Sequence, residues 1–112
     1  MTDAELNEAV CEALGWEYDA DAPLAHLAWS KPGINLVTPP NYLLPENLHR
    51  LIADWEATGN YWKLERVRDP HGEWCSRAVV SIGDKMQGVL GTSPNHALAQ
   101  AIIKLKEIND EH

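Results

Sequence analysis

Apolar residues recur at helical spacing in the first part of the chain. Thr2 followed by Glu5 forms a capping box, which satisfies free backbone donors at the start of a helix. Gly15 suits the left-handed position just after a helix, and Trp16 can then pack back on the last turn. The apolar positions in between share one helical face and are Leu6, Ala9, Val10, Ala13 and Leu14. This pattern predicts a helix over residues 3–14.

Two further helices follow from the same periodicity. Pro45 suits the first turn of the second helix, and Pro94 suits the first turn of the third, with Thr92 or Ser93 as its cap. The apolar stripe of the second helix is Leu48, Leu51, Ile52 and Trp55. The stripe of the third is Leu98, Ala101, Ile102, Leu105 and Ile108. The alanines at 97, 99 and 101 are small enough to let the third helix lie close to a sheet.

Between these two helices the pattern changes to strict alternation, which is typical of strands. The three alternating segments are YWKLERV, WCSRAVVSI and KMQGVLG. Asp69-Pro70-His71-Gly72 matches a type I turn, and Gly83-Asp84 fits a tight hairpin. The sequence therefore predicts an antiparallel meander of three strands.

Residues 16–41 are irregular, with four prolines. The segments LAHLAWS and INLVT are each compatible with a short strand, joined by a hairpin across Lys31-Pro32-Gly33. We expect one domain over residues 1–112, of the α+β class. Its architecture would be a two- or three-layer α-β-α sandwich, with three helices and an antiparallel meander of three or four strands.

The charge of −8 is unevenly distributed. Residues 1–22 contain seven acids and no base, whereas residues 23–109 contain nine bases and eight acids. Nucleic-acid binding requires a positive field, and the last helix has no Lys or Arg before Lys104, where double-stranded RNA binding modules place bases. We expect no nucleic-acid ligand. The first helix presents Glu5, Glu8 and Glu12 either to solvent, which the pattern favours, or to a basic protein surface.

No apolar run is long enough to span a membrane, and the N-terminus is acidic. We therefore expect a soluble, cytoplasmic protein without membrane contacts. Cys11 and Cys75 lie on different predicted elements and are expected to be free thiols. The sequence contains few patterns that are typical of a metal or catalytic site. The five histidines, at 26, 49, 71, 96 and 112, have no ligand spacing, so no metal or cofactor is expected.

A Cys–His dyad of Cys75 with His71 or His96 is conceivable, with Arg77 lowering the pKa of the thiol. A packed cysteine is the favoured interpretation, because no third group to orient the base can be identified. The phosphate-binding and hydrolase motifs are also absent. We expect that the protein is not an enzyme.

The predicted meander concentrates arginine and tryptophan, the composition of interaction hot spots and of anion or nucleobase pockets. The residues are Trp62, Arg66, Arg68, Trp74 and Arg77. Three acids stand beside them, at Glu65, Asp69 and Glu73. Cross-strand pairing with these acids would neutralise the arginines, and this simpler interpretation is favoured. The five tryptophans, in a chain without phenylalanine, either fill the core or lie near the surface as anchors.

Several of these features together resemble the small phage proteins grouped as the phage ABA sandwich domain family. Leu14, Gly15 and Trp16 match its helix-ending motif, and the residues that match by position are Tyr42, Trp62, Pro94, Ala97 and Ala101. The chain departs from the pattern where members often have an acid soon after the tyrosine, because Leu43-Leu44-Pro45 stands there. The resemblance implies a helix–sheet–helix sandwich and a phage context, hence a bacterial host cytoplasm. It implies no catalytic residue.

Three hypotheses of function follow. The first is a small phage-derived binding protein without catalytic activity, which occupies a host protein such as a CRISPR effector or another component of antiviral defence and inhibits it. The alternatives are a sponge for a nucleotide signal or a phage accessory protein without a role in defence. The sponge would use a pocket of Trp62, Arg66, Trp74 and Arg77, within one chain or across a homodimer.

Overall fold

Three helices and a three-stranded antiparallel sheet make up most of the described chain. The computed structural model describes residues 2–18, 21, 29–31, 39–58 and 60–110. The helices are α1 (Asp3–Ala13), α2 (Leu48–Glu56) and α3 (Pro94–Asp110). The strands are β1 (Glu17–Tyr18), β2 (Trp29–Ser30), β3 (Tyr61–Arg68), β4 (Trp74–Ile82) and β5 (Lys85–Gly91). The predicted α+β class, with its meander in the order β3-β4-β5, is confirmed.

Both ends of α1 form as their sequences predict. The hydroxyl of Thr2 accepts a hydrogen bond from the backbone N–H of Glu5 (3.2 Å), and the Glu5 carboxylate accepts one from the backbone N–H of Thr2 (3.3 Å). At the other end Gly15 has φ +100°, and the N–H of Trp16 donates to the carbonyl of Cys11 (2.9 Å). This Schellman arrangement turns Trp16 back onto the helix, where only 3% of it is exposed.

The start of α2 differs from the prediction by one turn. Pro45 begins a 3₁₀ turn over Pro45–Asn47, and the α-helix itself begins at Leu48. The N-cap residue of this turn is Leu44, and the turn has no hydrogen bond from a capping side chain. Proline still sets the entry, because its fixed φ suits a first helical turn and its missing N–H would have had no partner there.

The meander has the predicted turns. In the first, the N–H of Gly72 donates to the carbonyl of Asp69 (2.9 Å) and Gly72 has φ +83°. In the second, Ile82 pairs with Lys85 across Gly83, which has φ +60°. Both glycines occupy a conformation that is costly for other residues. The sheet register follows from these turns and places residues 62, 64, 66 and 68 on one face with 74, 76, 78 and 80.

This face, the inner face, packs against the helices. Ala78 and Val80 are fully buried on it, and α3 lies across β4 and β5 while α1 packs against α3. The close approach depends on small residues. A Cβ on Gly91 would lie 2.7 Å from the backbone nitrogen of Ala97, and Ala97 itself is fully buried. The small alanines of α3 therefore let this helix lie close to the sheet, as predicted.

The opposite face of the sheet, the outer face, is solvent-exposed in the described part of the chain. Its large apolar residues are exposed and are Tyr61, Met86 and Leu90. Because the described helices pack on the inner face, the sandwich has its helical layer on one side of the sheet. The alternation of β5 places Met86 and Leu90 together on this outer face.

The irregular segment contributes one short strand pair. Tyr18 pairs with Trp29, and their rings lie 5.1 Å apart between centroids. The segment LAHLAWS was predicted as a possible short strand, and β2 occupies its last two residues, Trp29–Ser30. Its described partner is β1, which the sequence did not predict. Residues 32–38, with the predicted INLVT strand and most of the Lys31-Pro32-Gly33 hairpin, lie outside the described residues.

Candidate binding site at the end of the meander

Two asparagines fasten the loop at residues 39–44 to the helices. The side chain of Asn95, at the start of α3, donates to the carbonyls of Tyr42 and Leu44, each at 2.8 Å. Asn7 of α1 accepts from the N–H of Tyr42 (2.8 Å) and donates to the carbonyl of Pro40 (3.2 Å). Asn95 is only 2% exposed. The sequence analysis missed both residues, because an isolated asparagine in a helical pattern carries no signal of its partner.

A second buried chain of hydrogen bonds runs beneath this loop. The indole N–H of Trp16 donates to the hydroxyl of Tyr42 (3.1 Å), which donates to the carboxylate of Asp54 on α2 (2.5 Å). Burial and the hydrogen bond to Asp54 raise the pKa of Tyr42. Burial, together with the negative charge of Glu8, raises the pKa of the nearby Cys11 to about 12. Trp16, Tyr42 and Asp54 therefore hydrogen-bond to one another within the fold.

Next to the turn that joins β3 to β4, two arginines lie against the ring of one tryptophan. Arg68 is directly opposite Trp74 in the sheet register, and Arg66 lies one pair further along on the same face. Their guanidinium carbons are 4.5 Å and 4.8 Å from the centre of the Trp74 ring, within the range of cation–π attraction. Trp74 is 53% exposed. We call Arg66, Arg68 and Trp74 the Arg–Trp cluster.

Neither arginine of the cluster has a carboxylate partner among the described residues. The ion pairs among the described residues are Lys63–Glu65 (2.7 Å), Arg77–Glu65 (3.2 Å) and His96–Asp3 (3.3 Å). The prediction that neighbouring acids neutralise the arginines is therefore wrong for Arg66 and Arg68 and correct for Arg77. The reason is strand parity: Glu65 alternates to the outer face, where it meets Arg77 and Lys63.

The other two neighbouring acids lie in the turn between β3 and β4. The carboxylate of Asp69 accepts from the N–H groups of His71 (2.8 Å) and Glu73 (3.0 Å). Arg68 donates instead to the carbonyl of Gly72 (3.0 Å), which is a neutral partner. Asp69 thus shapes the turn and leaves the charge of Arg68 without an ion pair.

A cleft adjoins the Arg–Trp cluster. It has a volume of about 550 Å³ and lies between β3, β4 and the starts of α2 and α3. We call it the hairpin cleft; its lining residues are Leu48, Leu64, Glu65, Arg66, Trp74, Cys75, Ser76, Thr92 and Pro94. Trp74 also lines a neighbouring cavity of about 430 Å³ with Asp69, Glu73 and Leu90. The cluster therefore stands at a concave surface with both apolar and hydroxyl groups.

The other two members of the predicted pocket lie elsewhere. Arg77 is on the outer face, paired with Glu65. Trp62 shares the inner face but lies at the far end of β3, where its indole N–H donates to the carboxylate of Glu56. The predicted four-residue pocket is therefore not formed: Arg66 and Trp74 come together, and Arg68 completes the group.

The acidic face of α1 has two kinds of members. Glu5 belongs to the capping box, and its hydrogen bonds with Thr2 hold the pKa of its carboxyl below the ordinary value. Glu8 and Glu12 are exposed. Unlike Glu5, neither makes a side-chain hydrogen bond or an ion pair with another described residue.

The histidines and Cys75 form no catalytic group in the described residues. His96 lies between Ser93 (Nδ1 to Oγ, 2.6 Å) and Asp3 (Nε2 to Oδ1, 3.3 Å), but Ser93 is the cap of α3 and accepts the N–H of His96. No hydrogen bond joins Cys75 to His71 or His96 in this part of the chain. Among the described residues, no group of three or more His, Cys, Asp or Glu side chains is arranged to hold a metal ion. His26 and His112 lie outside the described residues.

None of the helices in the described ranges combines the length and apolarity that crossing a membrane requires.

The fold is similar to that of a phage protein from Bacillus cereus ATCC 14579, known from a crystal structure. The two chains superpose with a TM-score of 0.59 and 13% sequence identity, over 92% of this chain and 90% of the other. At this identity the likeness concerns the fold. No protein-family model and no curated protein matches the sequence. The resemblance to the phage ABA sandwich domain family therefore stays a prediction.

Proposed function

We propose that this protein is a phage-derived binding protein without catalytic activity, which captures an anionic ligand at the Arg–Trp cluster. The observation that carries the proposal is the state of Arg66 and Arg68. Both guanidinium groups lie on a half-exposed indole, and neither has a carboxylate partner among the described residues. The likeness in fold to a phage protein supports the phage origin.

The charge balance of the chain strengthens the argument. With 17 acids against nine bases, most positive charges have acids available to pair with. Arg66 and Arg68 lie on the face of the hairpin that Glu65 does not share, so this acid pairs with neither of them. A guanidinium group binds a carboxylate or a phosphate through two parallel hydrogen bonds, and exposed tryptophan with arginine is typical of binding hot spots.

The proposal is tested by capture from a bacterial lysate at low and high salt. Three immobilised proteins are compared: wild type, the double variant Arg66→Gln/Arg68→Gln, and Arg77→Gln. The last removes a positive charge from the outer face of the same sheet and is the matched control. Bound proteins are identified by mass spectrometry, and small molecules are released by heat and analysed in the same way.

We expect a species that wild type and Arg77→Gln retain at low salt, and that the double variant loses. Retention should also fall at high salt, because salt screens contacts between exposed charges. Equal retention by all three proteins, or no retained species at all, would contradict the proposal.

A second candidate function is inhibition of a host protein, such as a CRISPR effector of antiviral defence, through the acidic face of α1. The observation in its favour is that Glu8 and Glu12 are exposed on a helix with no base in its last turn. The variant Glu8→Lys/Glu12→Lys tests it, and Glu5 is kept because it caps the helix. Loss of a captured host protein would support this function, whereas capture of a phage component would point to an accessory role.

A further inference from the structure

We infer that the ligand of the Arg–Trp cluster is a nucleotide, with its base against Trp74 in the hairpin cleft and its phosphate on Arg66 and Arg68. This inference rests on the proposed function and narrows its anionic ligand to one chemical class. It draws on three features that lie side by side: a half-exposed tryptophan, a cleft of the size of a small ligand, and two arginines that make no ion pair with any described residue.

The cleft has the size and chemistry of a small-molecule site. Its volume of about 550 Å³ falls inside the range of roughly 300–1,000 Å³ that is typical of ligand pockets. Leu48, Leu64 and Pro94 give it apolar walls, and Ser76 and Thr92 add hydroxyl groups. Apolar walls with a few hydrogen-bonding groups suit a flat base joined to a sugar.

Trp74 supplies the stacking surface. Its indole lines the cleft and is half-exposed, and aromatic side chains stack with any nucleobase because each base has a π face. The guanidinium carbons of Arg66 and Arg68 lie within 4.8 Å of the ring centre. Arg66 itself lines the cleft, so a phosphate on a nucleoside bound there would meet its guanidinium group, with that of Arg68 against the same ring.

The charges around the cleft favour a phosphate on this side of Trp74. Glu65 contributes to the wall, but its carboxylate is bound by Lys63 and Arg77 on the outer face. Pro94 places the N-terminal end of α3 at the cleft, and this end of a helix adds positive potential. The neighbouring cavity is lined by Asp69 and Glu73, which would repel a phosphate.

The test is a titration at low salt with five probes: ADP, AMP, adenosine, pyrophosphate and an acidic peptide of alternating Glu and Leu. Binding is measured by calorimetry and by quenching of tryptophan fluorescence. The variants are Trp74→Ala, Arg66→Gln/Arg68→Gln and the control Arg77→Gln, each checked for folding by circular dichroism. Trp74 is exposed enough that its removal should leave the fold intact.

We expect ADP to bind more tightly than pyrophosphate and adenosine. Trp74→Ala should weaken ADP binding by about tenfold or more, as loss of a stacked base does, and the double arginine variant should abolish it. Arg77→Gln should bind like wild type.

Other outcomes separate this inference from the proposed function. Pyrophosphate binding as tight as that of ADP, with no effect of Trp74→Ala, would overturn the nucleotide and keep the anionic ligand. Binding of the acidic peptide without ADP would do the same. ADP binding unchanged in the double arginine variant, or no binding of any probe, would overturn both.

Discussion

Around the loop at residues 39–44 the polar side chains hydrogen-bond within the protein. At the Arg–Trp cluster, the two arginine side chains remain available to bind a ligand. Asn7, Asn95 and Tyr42 each make hydrogen bonds within the protein, and no buried side-chain polar atom of the described residues lacks a partner. Arg66 and Arg68 lie on an exposed ring and pair with no acid in the same part of the chain.

The difference separates stability from binding. A buried polar group contributes to stability because leaving it unpaired is costly. An exposed cation on an aromatic ring contributes little to stability and can exchange water for a ligand. Substitutions in the first region should therefore affect unfolding, and substitutions in the second should affect mainly ligand capture, with only a small change in stability.

The largest effect is expected from Asn95→Ala. This change leaves the carbonyls of Tyr42 and Leu44 without their donor in a buried site, and should lower the free energy of unfolding by about 2–4 kcal/mol. The measurement is urea denaturation. Asn47→Ala is the matched control, because Asn47 donates to the carbonyl of Asn41 in the same loop but at an exposed position. If the two variants lose equal stability, burial is not what gives the loop contact its strength.

Next comes Gly91→Ala, compared with Gly88→Ala on the same strand. A Cβ at Gly91 would lie 2.7 Å from the Ala97 backbone, so α3 must shift, at a cost of about 1–3 kcal/mol. A Cβ at Gly88 meets the flexible side chain of Arg77 at 3.6 Å and should change stability by less than about 0.5 kcal/mol. Equal denaturation midpoints for the two variants would contradict the difference between inner and outer face.

Alkaline pH should weaken the buried region in a defined direction. The pKa of Cys11 is raised from its ordinary 9.0 to about 12, so above pH 9 the unfolded chain loses a proton that the folded chain keeps. Stability should therefore be unaffected by this group below pH 9 and fall as pH rises toward 12, by at most about 1.4 kcal/mol per unit. Chemical denaturation at pH 8, 9 and 10 measures the slope, and Cys11→Ala should reduce it. An unchanged slope would show that Cys11 ionises without unfolding.

The double variant Arg66→Gln/Arg68→Gln should lose less stability than Asn95→Ala. Exposed cation–π contacts contribute roughly 0.5–1 kcal/mol each, so the unfolding free energy should fall by no more than about 2 kcal/mol. The same variant should lose the ligand entirely. A severe loss of stability would instead mean that the cluster is a structural element of the hairpin.

Much of the fold follows from local patterns. The capping box at Thr2, the glycine at 15 and the turns at Asp69 and Gly83 each specify their own backbone, so the helix ends and the meander could be predicted. The β1–β2 pair could not, because two-residue strands carry no periodicity. The role of Asn95 could not be predicted either, since its hydrogen-bond partners lie more than 50 residues away in the sequence.

The candidate site was predicted in composition and not in arrangement. Strand alternation places Arg66 and Arg77 on opposite faces only when the pairing register of β3 with β4 is known. The sequence does not specify that register. The sequence showed acids beside the arginines without showing which face they share. Only the structure shows that Glu65 pairs with Arg77 and that Arg66 makes no ion pair with any described acid.

The most direct test of the central claim is thermal unfolding in the presence and absence of pyrophosphate, for wild type, Arg66→Gln/Arg68→Gln and Arg77→Gln. A ligand that binds only the folded state raises its melting temperature. The account predicts a rise for wild type and for Arg77→Gln and none for the double variant. The same rise in all three, or none in wild type, would contradict the claim that the charges of Arg66 and Arg68 are available to bind an anion.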